Sequence, residues 1–489
     1  MRKAQGADQV TGSKFAAFVA ANTCTALGQI SYWEPDVMAQ KESFEAPFRD
    51  ENGLPPVNSE QCECKDGLHP SRDRRRFLVA GASSMATGAA TLLSGPALAA
   101  PPPGAKDYPV PVDPTREPGL ATEFADGYGL RSQFETEARW RFPTPTTQFS
   151  WSHTPLQNSR GTVTPSGLHY VVNRAGTPVI DPQRHRLTVH GMVKRAKVYT
   201  IKDLMRFPSV TRMHFLECAG NTFMSIPDKP MLPDASVQVT HGLTSNSEWT
   251  GVKLSTILKE IGVEDGAKWV LAEGSDAAVM TRSVPLEKCW DDALLAYAQN
   301  GEALRPEQGH PLRLILPGWE GNVNVKWLRR LEVGDKPWYT RMDTKWYDDP
   351  MPDGKHLIFT FEMGAKSVIT FPSGEMKLPM PGFYEVTGLA WSGAGAISKV
   401  DISVDGGKTW SAAELTKPVL SKSHTRFTFP WAWDGKPATL MSRCRDVTGQ
   451  IQPTRAALIA KHGQLSSNHW NAISAWAVNV DGSVKNVHA

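Results

Sequence analysis

Two periods of apolar residues run along this chain, and they divide it. Arg186-Leu-Thr-Val-His190 alternates apolar and polar side chains as a half-buried strand does. Leu254, Ile257, Leu258 and Ile261 recur at helical spacing, which predicts a helix from Leu254 to Ile261 with one apolar face. Trp269-Val-Leu-Ala272 and Leu312-Arg-Leu-Ile-Leu-Pro317 read as strands, the second stopped by its proline. Strands and short helices therefore mix from about Gly167 to Val333, which predicts an α+β domain.

After about Phe361 only the period of two remains. Ser398-Lys-Val-Asp-Ile-Ser-Val404 alternates strictly, Asp405-Gly406-Gly407 supplies a turn, and Lys408-Thr-Trp410 is expected to start the return strand of a hairpin. Phe383–Leu389, Arg426–Trp433 and Ala438–Arg443 repeat the pattern at short spacing. That predicts an antiparallel sandwich of about a hundred residues. Pro101 to Pro155 is rich in Pro, Thr and Gly, and is expected to be an extended lead-in over the surface.

At 489 residues the chain is long enough for two to four domains. Apolar residues at 40% and charged residues at 21% exclude a disordered or fibrous chain. The net charge of +3, from 53 basic and 50 acidic side chains, gives no basic excess with which to neutralise a phosphate backbone, so nucleic acid is excluded as the main partner. Sixteen Trp and 37 Pro favour strands and loops over a helical bundle.

The first hundred residues have a different character. Arg74-Arg75-Arg76-Phe77-Leu78 opens a nearly uncharged stretch that ends at Ala97-Leu98-Ala99, matching a twin-arginine export signal with its small-residue cleavage site. Its apolar part, Leu78 to Leu93, is too short and too mild for a permanent membrane span. This route carries proteins already folded, commonly because a cofactor must be inserted first, so a periplasmic cofactor enzyme is expected. Met38 offers an alternative start, and Cys62-Glu63-Cys64 has no partner pair that would make it a metal motif. Beyond residue 99 the balance is 43 basic to 39 acidic, and the cysteines are Cys218, Cys289 and Cys444. An odd count in an oxidising compartment leaves a thiol free or ligated.

His214-Phe-Leu-Glu-Cys218-Ala-Gly-Asn221 places a thiol where a short apolar strand ends in residues that allow tight turns. Such a thiolate suits a nucleophile or a ligand for a soft or high-valent metal, and the plainer alternative is a buried structural cysteine. Leu295-Ala-Tyr297-Ala-Gln-Asn300-Gly301, Gly309-His310-Pro311-Leu312-Arg313 and Pro317-Gly-Trp-Glu-Gly321-Asn-Val-Asn324-Val325-Lys326-Trp327-Leu328 follow. Their glycines, with Arg313 and Lys326, can offer backbone N–H groups and two positive charges to a phosphate.

In this order, from Gly167 to the C-terminus, the strings resemble the sulfite oxidase family of molybdenum enzymes. Phe215-Leu-Glu-Cys-Ala-Gly-Asn-Thr222, Glu302-Ala-Leu-Arg-Pro-Glu-Gln-Gly309 and Lys366-Ser-Val-Ile-Thr-Phe-Pro-Ser-Gly374 look like its sulfane (sulfite) dehydrogenase branch, from thiosulfate oxidation. The resemblance implies a molybdenum-molybdopterin cofactor with Cys218 as the protein ligand and Tyr297 as the active-site tyrosine. It implies pterin and phosphate contacts from Tyr170, Asn173, Arg174, Asp276, Gln308, Arg313, Asn324, Val325 and Lys326. The fold implied is an α+β molybdopterin-binding domain (161–360) followed by an immunoglobulin-like dimerisation sandwich (361–489). Ahead of them are expected an extension that is untranslated or disordered (1–70), the signal peptide (71–99) and the lead-in (100–160).

The activity implied is oxo transfer to a sulfur substrate. The chain contains no Cys-x-x-Cys-His, so no haem is expected in it and a separate cytochrome c subunit is expected as acceptor, in a homodimer or a heterotetramer. Where the family places arginines around the metal, the aligned residues are Val172, Phe223 and His462, which favours sulfur delivered on a carrier protein over free sulfite. Three rivals remain: a sulfoxide reductase-type molybdoenzyme, a binding protein that has lost its cofactor, and a hydrolase with Cys218 activated by His214 or His241. Cys289 and Cys444 are expected to be small buried residues or a mutual disulfide.

Overall fold

The apolar stripe forms the helix its spacing predicts. Leu254–Ile261 is helical and buries Leu254, Ile257, Leu258 and Ile261, each contributing roughly 1.5–3 kcal/mol by leaving water. This computed structural model describes residues 128–129, 131–132, 134–227, 229–463 and 468–489. Cys24, Met38, Cys62, Cys64 and the export segment lie outside the described residues. The described residues from Phe134 onwards belong to one packed unit.

That helix packs in a core with a mixed sheet ordered Lys197–Tyr199, Leu187–Gly191, Leu328–Gly334, Trp269–Gly274 and Thr281–Pro285. Leu328–Gly334 is parallel to Leu187–Gly191 and antiparallel to Trp269–Gly274. A second sheet carries the thiol strand, Ser209–Glu217, paired along its whole length with Thr244–Lys253. Leu294–Gln299 continues that sheet and pairs with both Glu302–Ala303 and Arg313–Ile315. The last of these is shorter than expected because Leu316 N–H turns to the Asn324 side chain at 2.7 Å.

The C-terminal part is the antiparallel sandwich its alternation predicts. One sheet runs Lys366–Phe371, Gly382–Trp391, Thr425–Trp433 and Glu414–Leu415. The other runs Ser411–Ala412, Ile397–Ser403, Ala438–Asp446, Ala475–Val478 and Val484–Val487. The inward residues include Trp391 and Trp476, both fully buried. The hairpin exists, but its return strand starts at Ser411 and not at Lys408. Asp405 is the cause: its carboxylate accepts from the N–H groups of Lys408 and Thr409, both at 3.0 Å, and holds the chain in a wider loop.

The lead-in is not confined to the surface. Trp140–Phe142 and Ser150–His153 form a sheet with Val171–Asn173. Phe142, His153, Thr154 and Leu156 are buried there.

The sandwich and the thiol strand meet at Glu217. Its carboxylate accepts from Lys366 Nζ at 2.6 Å, Trp391 Nε1 at 2.7 Å and Asn221 Nδ2 at 2.9 Å. Lys366 and Trp391 come from the sandwich, and all of these side chains are buried. Removing one partner of a buried ion pair leaves an uncompensated charge. Lys366→Met is therefore expected to cost about 3–5 kcal/mol in urea unfolding, and Lys366→Met with Glu217→Gln to cost less. A loss below about 1 kcal/mol for the single variant would contradict this reading.

Candidate functional site

Cys218 follows the last residue of the thiol strand, and its loop is held from both sides. Cys218 N–H donates to Leu243 O at 2.9 Å, Asn221 N–H to Cys218 O at 2.8 Å, and His469 N–H to Ala219 O at 2.8 Å. Thr222 takes a left-handed conformation with φ 70°, costly for a β-branched residue. Its hydroxyl, donating to Trp470 O at 2.6 Å, fixes it. Cys218 is half-buried in the wall of a cavity of about 720 Å³, mouth included. Burial pushes its thiol up to about 11, against the Gly220 N–H and the nearby Arg174 charge, which pull it down.

One group of cations is braced by backbone carbonyls. Arg313 donates from Nη1 to Gln308 O at 2.9 Å and from Nη2 to Asn324 O at 3.1 Å. Lys326 Nζ donates to Val172 O at 3.1 Å, to Glu307 O at 3.0 Å and to the Asn173 side chain. Burial and the charge of Arg313 lower the Lys326 ammonium to about 7, and burial lowers Arg313 to about 10. Gln308 is held by its side-chain N–H on Tyr170 O at 3.1 Å. Gly321 is required where the chain passes Tyr170, because a Cβ there would lie 2.4 Å from the phenol oxygen.

A separate cation stands beside the thiol. Arg174 Nη2 donates to Tyr347 Oη at 2.8 Å, and its guanidinium lies 5.1 Å from the Trp346 ring. Behind Tyr347, the fully buried Arg282 sits 4.8 Å from the ring and bridges Asp343 at 2.7 Å and Glu320 at 3.0 Å. His469 Nε2 contacts the other Glu320 oxygen at 3.2 Å. Burial opposes charge on His469, but the Glu320 hydrogen bond and charge prevail and raise its pKa.

The cavity wall brings together Cys218, Tyr170, Asn173, Arg174, Asp276, Gln308, Arg313, Asn324, Val325 and Lys326. Asn324 uses its side chain to brace its own loop, on Glu320 O at 2.8 Å and Leu316 N–H, and Val325 belongs to the apolar core. Tyr297 is not among the lining residues. It sits where Leu294–Gln299 bulges against its neighbour, with its ring against the core. Besides Tyr170 the wall holds a second tyrosine, Tyr347, which the sequence reading missed; it follows the one-turn π-helix Met342–Trp346, where no regular period points to it. Of the three positions expected to lack arginine, only Val172 lines the cavity. Phe223 packs in an aromatic cluster with Phe142 and Trp151, and His462 ends the helix Arg455–His462.

His214 and His241 make other contacts: His214 Nδ1 is 3.4 Å from Lys422 O, and His241 bonds Thr240 at 2.8 Å and Ser474 at 3.0 Å. Neither is hydrogen-bonded to Cys218, which leaves the hydrolase reading without a base. Cys289 and Cys444 are free, buried thiols in different core clusters and form no disulfide.

A family model described as "Oxidoreductase molybdopterin binding domain" matches residues 174–342, and one described as "Mo-co oxidoreductase dimerisation domain" matches residues 358–475. The chain is 31% identical over 308 residues to "Nitrate reductase [NADH]" of Ulva prolifera, covering 56% of this chain and 34% of that protein. It is 28% identical over 349 residues to "Sulfite oxidase, mitochondrial" of Mus musculus, covering 65% of this chain and 62% of that protein. The chain thus spans about a third of the length of the nitrate reductases it matches. The solved "Sulfane Dehydrogenase SoxCD from Paracoccus pantotrophus" matches with a TM-score of 0.74 and 42% identity, over 78% of this chain and 98% of that one.

The cavity residues fit a molybdopterin. Among the described residues no three His, Cys, Asp or Glu side chains converge as a metal site. A metal beside Cys218 therefore needs its remaining ligands from a cofactor. Arg313 Nε and His169 Nε2 are buried in the lining without a partner among the described residues. His169 Nδ1 faces Tyr170 O at 3.0 Å and must carry the proton there, so Nε2 presents a lone pair that suits the N–H groups of a pterin. Arg313 and Lys326 together can match a phosphate's charge of about −1.5 to −2.

Because burial and Arg313 hold Lys326 near 7, a phosphate bound beside it should restore the ammonium. Inorganic phosphate binding to the cofactor-free protein is expected to take up most of one proton per site at pH 8, where phosphate is already a dianion and Lys326 mostly neutral. Calorimetry in two buffers of different ionisation enthalpy measures this; a heat independent of buffer at pH 8 would contradict it.

Proposed function

The chain belongs to the sulfite oxidase family of molybdenum oxidoreductases, and on that premise we propose that it is a periplasmic sulfur dehydrogenase. Its substrate is proposed to be sulfane sulfur on a carrier protein, or sulfite, and its acceptor a separate cytochrome c. The observation that carries the reading is Cys218 in the wall of one cavity, with Arg313 and Lys326 braced as a phosphate site and Arg174 with Tyr347 beside the thiol. The 42% identity to a sulfane dehydrogenase chain supports the substrate class. The twin-arginine segment Arg74–Ala99 supports export of a folded, cofactor-loaded protein. The absence of a Cys-x-x-Cys-His string from the sequence supports a separate haem subunit.

When bound, the molybdenum cofactor supplies two-electron oxygen-atom transfer to sulfur. For sulfite the balance is one water consumed, one sulfate formed, and two protons and two electrons released. Cys218 would hold the metal. Tyr170, Asn173, Asp276 and Gln308 would orient the pterin, with Asn324 and Val325 shaping the loop that covers it. Arg313 and Lys326 would hold its phosphate. Tyr347 would place a hydroxyl at the reacting end, polarised by Arg174.

The direct assay is reduction of cytochrome c by the purified holoenzyme, supplied with sulfite or with a protein-bound persulfide. The reading requires sulfur-dependent cytochrome reduction. Sulfoxide reduction by a reduced dye, with no sulfur oxidation, would contradict it. Within that assay Tyr347→Phe removes a hydrogen bond to a charged group and is expected to lower kcat/KM roughly 10- to 100-fold. Tyr297→Phe, whose ring packs against the core and is not among the lining residues, should stay within about twofold. The opposite ranking would make Tyr297 the active-site tyrosine, as the family resemblance implies.

A further inference from the structure

We propose that Arg174 recognises the anionic end of the sulfur substrate, and that its single unneutralised charge selects a monoanionic sulfur terminus, such as a carrier-bound persulfide, over a dianion. This rests on the sulfur-oxidising reading above and adds its specificity device.

Charge neutralisation around the cavity sets Arg174 apart. Arg282 is matched by Asp343 and Glu320, and Lys366 by Glu217. Arg139, which donates to the carbonyl of the lining residue His169 at 3.3 Å, is matched by Glu307 at 3.4 Å. Among the described residues Arg174, Arg313 and Lys326 form no ion pair with a carboxylate, and all three line the cavity. Unpaired cations in a half-closed site are costly unless an anion completes them. Arg313 and Lys326 stand together, their donors on the carbonyls of Gln308, Asn324, Val172 and Glu307, and a phosphate of about −1.5 to −2 balances them. That leaves Arg174.

Its position suits the reacting end of the cavity. Arg174 is bonded to Tyr347, and Tyr347 packs in one cluster with Ala219, the residue after Cys218, so this cation belongs to the thiol end of the cavity. Tyr347 takes one of its five N–H donors, and Trp346 lies against its guanidinium, so the plane is fixed while other donors remain for a ligand. Val172 also lines the wall but adds no charge. One fixed charge matches a terminal S⁻. A free dianion would keep a residual negative charge in the half-closed cavity.

The test uses holoenzyme carrying Arg174→Gln, Arg174→Lys or Tyr347→Phe. Metal content, KM and kcat are measured, with thiocyanate and sulfate as monoanionic and dianionic competitors, and thiocyanate binding is followed by tryptophan fluorescence. Arg174→Gln is expected to raise KM for the persulfide carrier on the order of 30-fold or more, with kcat changed a few-fold and molybdenum content unchanged. Thiocyanate binding should weaken in parallel. Arg174→Lys should recover part of the loss, and Tyr347→Phe should weaken thiocyanate binding less than Arg174→Gln does. Molybdenum lost from Arg174→Gln with an unchanged KM would make Arg174 a cofactor contact and overturn the proposal, as would sulfate binding the wild type more tightly than thiocyanate. If the wild type oxidises no sulfur compound yet binds thiocyanate through Arg174, the functional reading fails and the anion site stands. If it oxidises sulfur and Arg174→Gln binds thiocyanate equally well, only the present proposal fails.

Discussion

The Glu217 carboxylate lies one residue before Cys218 and is gripped by Lys366 and Trp391 from the sandwich and by Asn221 from its own loop. Each partner is buried, so the carboxylate has no water to fall back on and must keep all three. The thiol can therefore move little without breaking the contact between the two parts of the molecule. Trp470 adds a second tie through Thr222, and His469 a third through Ala219. A site that must present one sulfur atom at a fixed place is built on rigid neighbours of this kind.

The cavity then divides into two electrostatic zones. Arg313 and Lys326 are expensive to keep charged, as their lowered pKa values show, and are arranged so that a bound phosphate completes them. Arg174 and Tyr347 stand at the thiol, and behind them Arg282, Glu320, Asp343 and His469 form one buried ion cluster. The first zone suits the cofactor and the second the substrate. Positive charge is thus present beside the thiol, from Arg174 and not from the three positions where the family's arginines were expected.

Much of this was legible before any coordinates. The Leu254–Ile261 helix is marked by four apolar residues at one spacing, and its boundaries follow from them. The sandwich strands are legible because strict alternation has one solution when one face is buried. The cavity residues were legible as strings in family order, and most of those strings converge on one wall. Tyr347 was not, because it follows a π-helical turn without a repeating pattern, whereas Tyr297 sits in a regular strand that bulges. Phe223 and His462 were matched by position in the chain, which carries no packing information: Phe223 joins an aromatic cluster, His462 ends a helix, and neither lines the cavity. The lead-in looked peripheral because Pro and Gly dominate it, yet Phe142 and Leu156 anchor it in the interior.

The central claim is that Cys218 is the protein's ligand to the metal. X-ray absorption at the molybdenum edge on the loaded protein tests it most directly. The account predicts one sulfur neighbour more than the dithiolene pair supplies, lost in Cys218→Ser and retained in Cys289→Ser and Cys444→Ser. An unchanged sulfur count in loaded Cys218→Ser would contradict it.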